Sequence, residues 1–201
     1  VLILPNANPI NRDKVLNGEF ALRKMPDGVD PNRNFPVPPF VSETLHHYPR
    51  QSEEFQGDHL ISEPNTKLLN SLMTRYAIDI YCNVHSGEFS IYSNGGYDSI
   101  KKKRTHNYKE SEKFTRFVAQ GCPECLVGGA ADASSYVAYG TSADYCLAYK
   151  GCRFAFTFEV YGKWPCRNIF HMFNPDNPFL LNATITKWVP ILLKLTAEVR
   201  I

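Results

Sequence analysis

The chain has 201 residues, 43% of them hydrophobic and 13% aromatic, with a formal net charge of +2 and a pI near 8.2. That content is enough to bury one sizeable core and too little for two. Acidic and basic residues are interspersed, so no field for nucleic acid or an anionic membrane is implied, and no apolar run approaches the roughly 18 residues of a membrane span.

In chain order, "VLIL" at residues 1–4 is a short apolar run ending at Pro5, which reads as a strand. "VLILPNANP" has the look of an interior strand's tail, with neither an initiator methionine nor a signal-peptide pattern before it, so residues 1–201 are expected to form a single, N-terminally truncated domain. From Asp27 to Ile61 the sequence is rich in Pro and Asn and lacks periodicity, the mark of a functional or disordered loop. "SEPNTKLLNSLMTRYA" predicts a helix with Ser62 as N-cap, Pro64 in the first turn and an apolar face of Leu68, Leu69, Leu72 and Tyr76. "AIDIYCNV" alternates Ile78, Ile80, Cys82 and Val84 and predicts a strand. "KKKR" at 101–104 reads as a solvated surface loop, and a second helix is predicted over 108–119.

"FAFTFEVY" predicts a third strand, with Phe154, Phe156, Phe158 and Val160 on one face and a lone carboxylate, Glu159, on the other. A last helix carries Ile185, Trp188, Val189, Leu192 and Leu195, with a kink or restart expected at Pro190. Strands alternating with amphipathic helices define an α/β fold with a largely buried sheet.

Six cysteines are present, and "CPEC" at 122–125 has redox or zinc spacing. It follows a helix instead of opening one and has no second Cys or His pair at tight spacing, which favours buried thiols or disulfides. Asn182 in "NAT" matches a glycosylation acceptor and fits a secretory route.

Ligands of open α/β sheets bind beyond the carboxyl ends of the strands, where His85 and Glu159 both fall. An unpaired carboxylate buried in an apolar strand costs several kcal/mol unless something compensates it, so the two together suggest a site. "FALRK" supplies Arg23, and "GVDPNRNFP" supplies Asp30, Asn32, Arg33 and Asn34. Guanidinium forks and amides suit recognition of a carboxylate, whereas Asn and Asp equally suit the satisfaction of turn backbone. Local chemistry leaves both readings open.

In order and separation, "NANP", "LRK", "GVDPNRNFP", "SEPNTK", "NVHSGE", "SSYVAYGTSADY" and "FAFTFEVYG" resemble the zinc metallocarboxypeptidase family of carboxypeptidase A over nearly the whole chain. The resemblance implies a mixed sheet with helices on both faces, a Zn²⁺ cofactor, peptide and protein C-termini as partners, and release of single C-terminal residues. It implies that His85 is a zinc ligand, Glu159 the general base, and Arg23 the group that stabilises the oxyanion. Asn32, Arg33 and Tyr136 would grip the terminal carboxylate, Asp30 would orient a zinc-bound histidine, and Ala143 would line the pocket for the terminal side chain, favouring neutral or apolar residues.

The family's other two zinc ligands come from an HxxE motif that this sequence lacks; His46, His47 and His59 stand in no such pattern. The chain is therefore expected to be inactive alone, and the competing expectation is a non-catalytic relative that binds peptide C-termini.

Overall fold

The structure is a computed structural model that describes all residues except 44–46, 94, 99–100, 135, 163–164 and 199–201, together with all but the side chains of 101, 102 and 198. His46 thus lies outside the described residues. Four strands, β1 (Ile80–His85), β2 (Phe89–Ser93), β3 (Leu126–Gly129) and β4 (Phe154–Val160), form one mixed sheet in the order β1-β4-β2-β3. β1 runs parallel to β4 and β2 parallel to β3, while β2 and β4 are antiparallel. Helices α1 (Pro9–Leu16), α2 (Pro64–Arg75), α3 (Tyr108–Ala119), α4 (Ala130–Ala133), α5 (Ser142–Tyr149), α6 (Ile169–Phe173) and α7 (Pro178–Glu198) surround it.

β4 is central because both of its faces suit burial. Phe154, Phe156 and Phe158 point to one side, where Val118 of α3 and Trp188, Ile191 and Leu195 of α7 complete a core cluster with Ile91. Trp188 meets Phe158 edge-on with ring centroids 5.8 Å apart, and each such side chain contributes about 1.5–3 kcal/mol by leaving water. On the other side Ala155 is small enough for α5 to sit close, and Phe35, Met73 of α2, and Tyr145, Cys146 and Leu147 of α5 pack there. Helices therefore cover both faces, with β4 and β2 buried and β1 partly exposed at the edge.

Four expectations change. Val1–Leu4 form no strand and are largely exposed, because an apolar run without a hydrogen-bonding neighbour leaves its backbone groups to water. Ser62 does not cap α2; Glu63 holds the N-cap position without a side-chain capping bond, and Ser62 donates to the Glu63 carboxylate. α2 buries Asn65, Thr66 and Met73, whereas Leu68 and Tyr76 are exposed. α7 continues through Pro190 as one element instead of restarting there.

The described residues of the Asp27–Ile61 segment form turns and irregular backbone, with a 3-10 turn at Pro31–Arg33. Asn34 holds it: its Nδ2 donates to the carbonyls of Gln56 and His59 and its Oδ1 accepts from Ser62 N and Thr66 Oγ1. "KKKR" is a 3-10 turn with Lys103 and Arg104 exposed. Cys122 and Cys125 are joined in a disulfide, and the other four cysteines are free thiols. No helix among the described residues is long and apolar enough to cross a membrane.

Candidate active site

The parallel register of β1 and β4 sets His85 directly beside Glu159, and the antiparallel register of β2 sets Ser90 on its other side. His85 Nδ1 stands 3.8 Å from Glu159 Oε1, too far for a hydrogen bond. The turn that follows His85 is built on glycine: Gly87 has φ +149°, and a Cβ there would come within 3.0 Å of the Phe173 ring and 3.7 Å of Glu159 Oε2. At Gly162 a Cβ would fall 2.4 Å from the Glu88 backbone, so the two chain segments touch without an intervening side chain.

The Glu159 carboxyl is mostly enclosed. Its Oε2 is buried with no hydrogen-bond partner, and burial, reinforced by the nearby Glu88 charge, pushes its pKa up to about 7. A third of the His85 side chain stays open to solvent, yet protein surrounds the ring closely enough that burial, with the Arg23 charge, pushes its pKa down to about 4. At neutral pH His85 is an unprotonated imidazole beside a carboxyl that can exchange a proton.

The Pro31–Arg33 turn carries the second half of the site. Asp30 caps it by accepting from Asn32 N through Oδ1, and its Oδ2 takes both Nε (2.9 Å) and Nη2 (2.6 Å) of Arg23. Arg33 is buried, with 4% of its side chain exposed; Nη1 donates to Asn32 O, Nη2 donates to Tyr136 Oη at 2.8 Å, and Glu54 lies 3.8 Å away. Its Nε is buried and has no partner among protein atoms. Asn32 is fixed by Ser142, whose backbone N–H and hydroxyl both donate to Asn32 Oδ1, leaving the Nδ2 group as its remaining donor. Tyr136 is half exposed over the Arg33 guanidinium.

The geometry thus brings His85 beside Glu159, and Asn32, Arg33 and Tyr136 into one cluster. The charges of Arg23, Asp30 and Arg33 act on His85. Asn34, weighed with Asn32 and Arg33 from sequence, is fully enclosed and spent on loop backbone. Ala143 is buried against Phe35 and Cys146. The sequence alone did not point to Ser142 or Glu54. Ser142 had a local signal, since it follows Thr141, the N-cap of α5, whose Oγ1 accepts Asp144 N and whose hydroxyl donates to Asp144 Oδ2. Asp144 also accepts Gly95 N, and burial pushes its pKa up to about 6.

Among the described residues no three His, Cys, Asp or Glu side chains group as a metal site. His106 instead contacts the Cys152 carbonyl, and His171 pairs with Asp176. Catalytic zinc takes three protein ligands, so His85 and its described neighbours do not by themselves fit the ion.

A buried arginine beside an amide and a tyrosine thus acts electrostatically on a histidine at the end of β1, which stands beside a carboxyl on β4. Residues 6–185 match the family model for zinc carboxypeptidases, Peptidase_M14, and the chain belongs to that family. Among solved structures it is similar to carboxypeptidase A from Helicoverpa armigera, with a TM-score of 0.74, 23% identity, and coverage of 98% of this chain and 50% of that one. It is also similar to bovine thrombin-activatable fibrinolysis inhibitor, solved with a tick carboxypeptidase inhibitor, with a TM-score of 0.76, 22% identity, and coverage of 98% and 68%. These likenesses are of fold; the chain spans half the length of the insect enzyme. No curated sequence matches significantly.

Proposed function

We propose that this chain carries the substrate-carboxylate grip and the general base of a metallocarboxypeptidase that releases single C-terminal residues. The observation that carries the reading is Arg33: a guanidinium buried to 4% exposure whose Nε has no protein partner, beside the Tyr136 hydroxyl and the free amide donors of Asn32. A terminal carboxylate would satisfy that donor set, and burial strengthens the charge-assisted bonds it would make. Glu159, with a pKa near neutrality, takes or holds a proton at the scissile bond. Arg23 faces developing negative charge there with its Asp30 salt bridge as anchor. The buried Ala143 brings no charge to the terminal side chain, which supports preference for neutral or apolar residues. The family's zinc needs ligands beyond His85, so no step is assigned to the metal on these residues alone.

A second reading is a relative that binds peptide C-termini without hydrolysis. It is favoured by a carboxylate grip present among the described residues where a metal-ligand set is not. Retention of Glu159 opposes it, since a binder needs no base. The test is zinc content and release of the terminal residue from a blocked dipeptide, measured on this chain and on a form extended upstream through any HxxE in the genomic DNA. Zinc-dependent turnover in the extended form alone supports the peptidase; absence of HxxE from the gene supports the binder. In the active form Glu159→Gln abolishes turnover with zinc retained, and surviving activity overturns its role as base.

A further inference from the structure

Two thiols that the proposed activity does not use are packed together beneath the site. Cys146 lies near the end of α5 and Cys152 just before β4; both are fully buried, in the same cluster as Ala155 and Met73. Gly151, at φ +68°, turns the chain back after α5, a conformation that glycine adopts without strain. The reversal brings Cys152 N to 3.4 Å from the Cys146 carbonyl, which also accepts Lys150 N at 3.1 Å. The two thiols are close enough for Cys146 to raise the pKa of Cys152. A disulfide needs Cα atoms about 4.4–6.8 Å apart with the sulfurs facing each other, and the backbone hydrogen bond that closes the reversal draws these two buried residues together.

We propose that Cys146 and Cys152 are a disulfide-forming pair, closed by thiol–disulfide exchange when the chain folds in the presence of a small-molecule disulfide. One cysteine thiolate attacks a reagent sulfur, releasing one reagent thiol and leaving a mixed disulfide. The second cysteine then displaces the other reagent thiol, so the two electrons and two protons lost by the pair leave on the two thiols released. Burial holds both sulfurs away from solvent, so closure occurs during folding or opening, and the closed bond is shielded from reductant afterwards. The bond would staple α5, whose Ser142 fixes Asn32, to β4, which carries Glu159.

The test is peptide mapping of the whole chain, refolded with oxidised glutathione, blocked by alkylation in denaturant and digested with trypsin without reduction. Cleavage after Lys150 and Arg153 isolates residues 151–153, Gly-Cys-Arg, from the peptide that holds Cys146. Trypsin leaves Cys122, Cys125 and Cys146 together in residues 117–150, so a second digestion that cuts before Asp132 and Asp144 separates them; the proposal predicts that the tripeptide is joined to residues 144–150 before reduction and is released only after it. Alkylated tripeptide as the main product of the unreduced digest overturns it, as does linkage of Cys152 to Cys82, Cys122, Cys125 or Cys166. Oxidised chain should melt about 5–10 °C above a Cys152→Ser variant under the same conditions. If that variant fails to fold, the mapping of the unmodified chain decides alone.

Discussion

Asp144 gives the sharpest physical prediction. Its carboxyl, on α5, is buried, accepts Gly95 N at 3.0 Å and Thr141 Oγ1 at 3.0 Å, and forms no ion pair among the described residues. Burial dominates and lifts its pKa from 3.8 to about 6. A carboxyl whose pKa is raised by folding binds its proton more tightly in the native state. Its contribution is therefore greatest below the unfolded pKa and declines as pH rises through the folded pKa. A shift of this size corresponds to about 3 kcal/mol, most of it lost between pH 4 and 7. Asp144→Asn keeps the shape and removes the titration. The assay is urea unfolding of both proteins across that range, taken as the difference between them so that other groups cancel. The native chain should lose roughly 2–3 kcal/mol relative to the variant between pH 4 and 7. A difference that stays flat, or that grows in favour of the native chain with rising pH, refutes the reasoning.

Trp188→Ala removes the edge-on partner of Phe158 and leaves a cavity against β4, costing about 3–5 kcal/mol in denaturant unfolding. Thr141→Ala deletes the α5 N-cap and should cost about 1 kcal/mol by the same measurement, while loosening Ser142 and the Asn32 it holds. Gly121→Ala places a Cβ 2.6 Å from Ile191 Cγ1, so the buried Ile191 side chain or the helix that carries it must shift, and the melting temperature falls.

The strands most visible in the sequence were those whose two faces differ. In β4 the phenylalanines alternate with a small residue, a threonine and Glu159, and in β1 His85 ends an alternating run; both polar residues stood out because they broke an apolar pattern. That they stand side by side depends on the parallel register of strands some seventy residues apart, which no local pattern carries. β2 and β3 were missed because "FSIYS" and "LVGG" are short and rich in Ser or Gly, and gain their strand character from the sheet. Val1–Leu4 shows the converse, a strand-like composition without a neighbour. Within the loop, Asn32 and Asn34 are alike in sequence, and only long-range partners, Ser142 for one and the Gln56–His59 backbone for the other, separate the amide beside Arg33 from the one spent on the loop. The disulfide outcome of "CPEC" was within reach of the sequence because its place after α3 argued against redox geometry.

The central claim is that Arg33, Asn32 and Tyr136 bind a free peptide C-terminus, and calorimetric titration with an acetylated dipeptide and with its C-terminal amide tests it most directly. The free acid should bind, the amide should bind at least ten-fold more weakly, and Arg33→Met should erase the difference, as expected for loss of a buried charge-assisted contact worth about 2–5 kcal/mol. Equal binding of acid and amide, or an acid preference that survives in a folded Arg33→Met variant, would contradict the account.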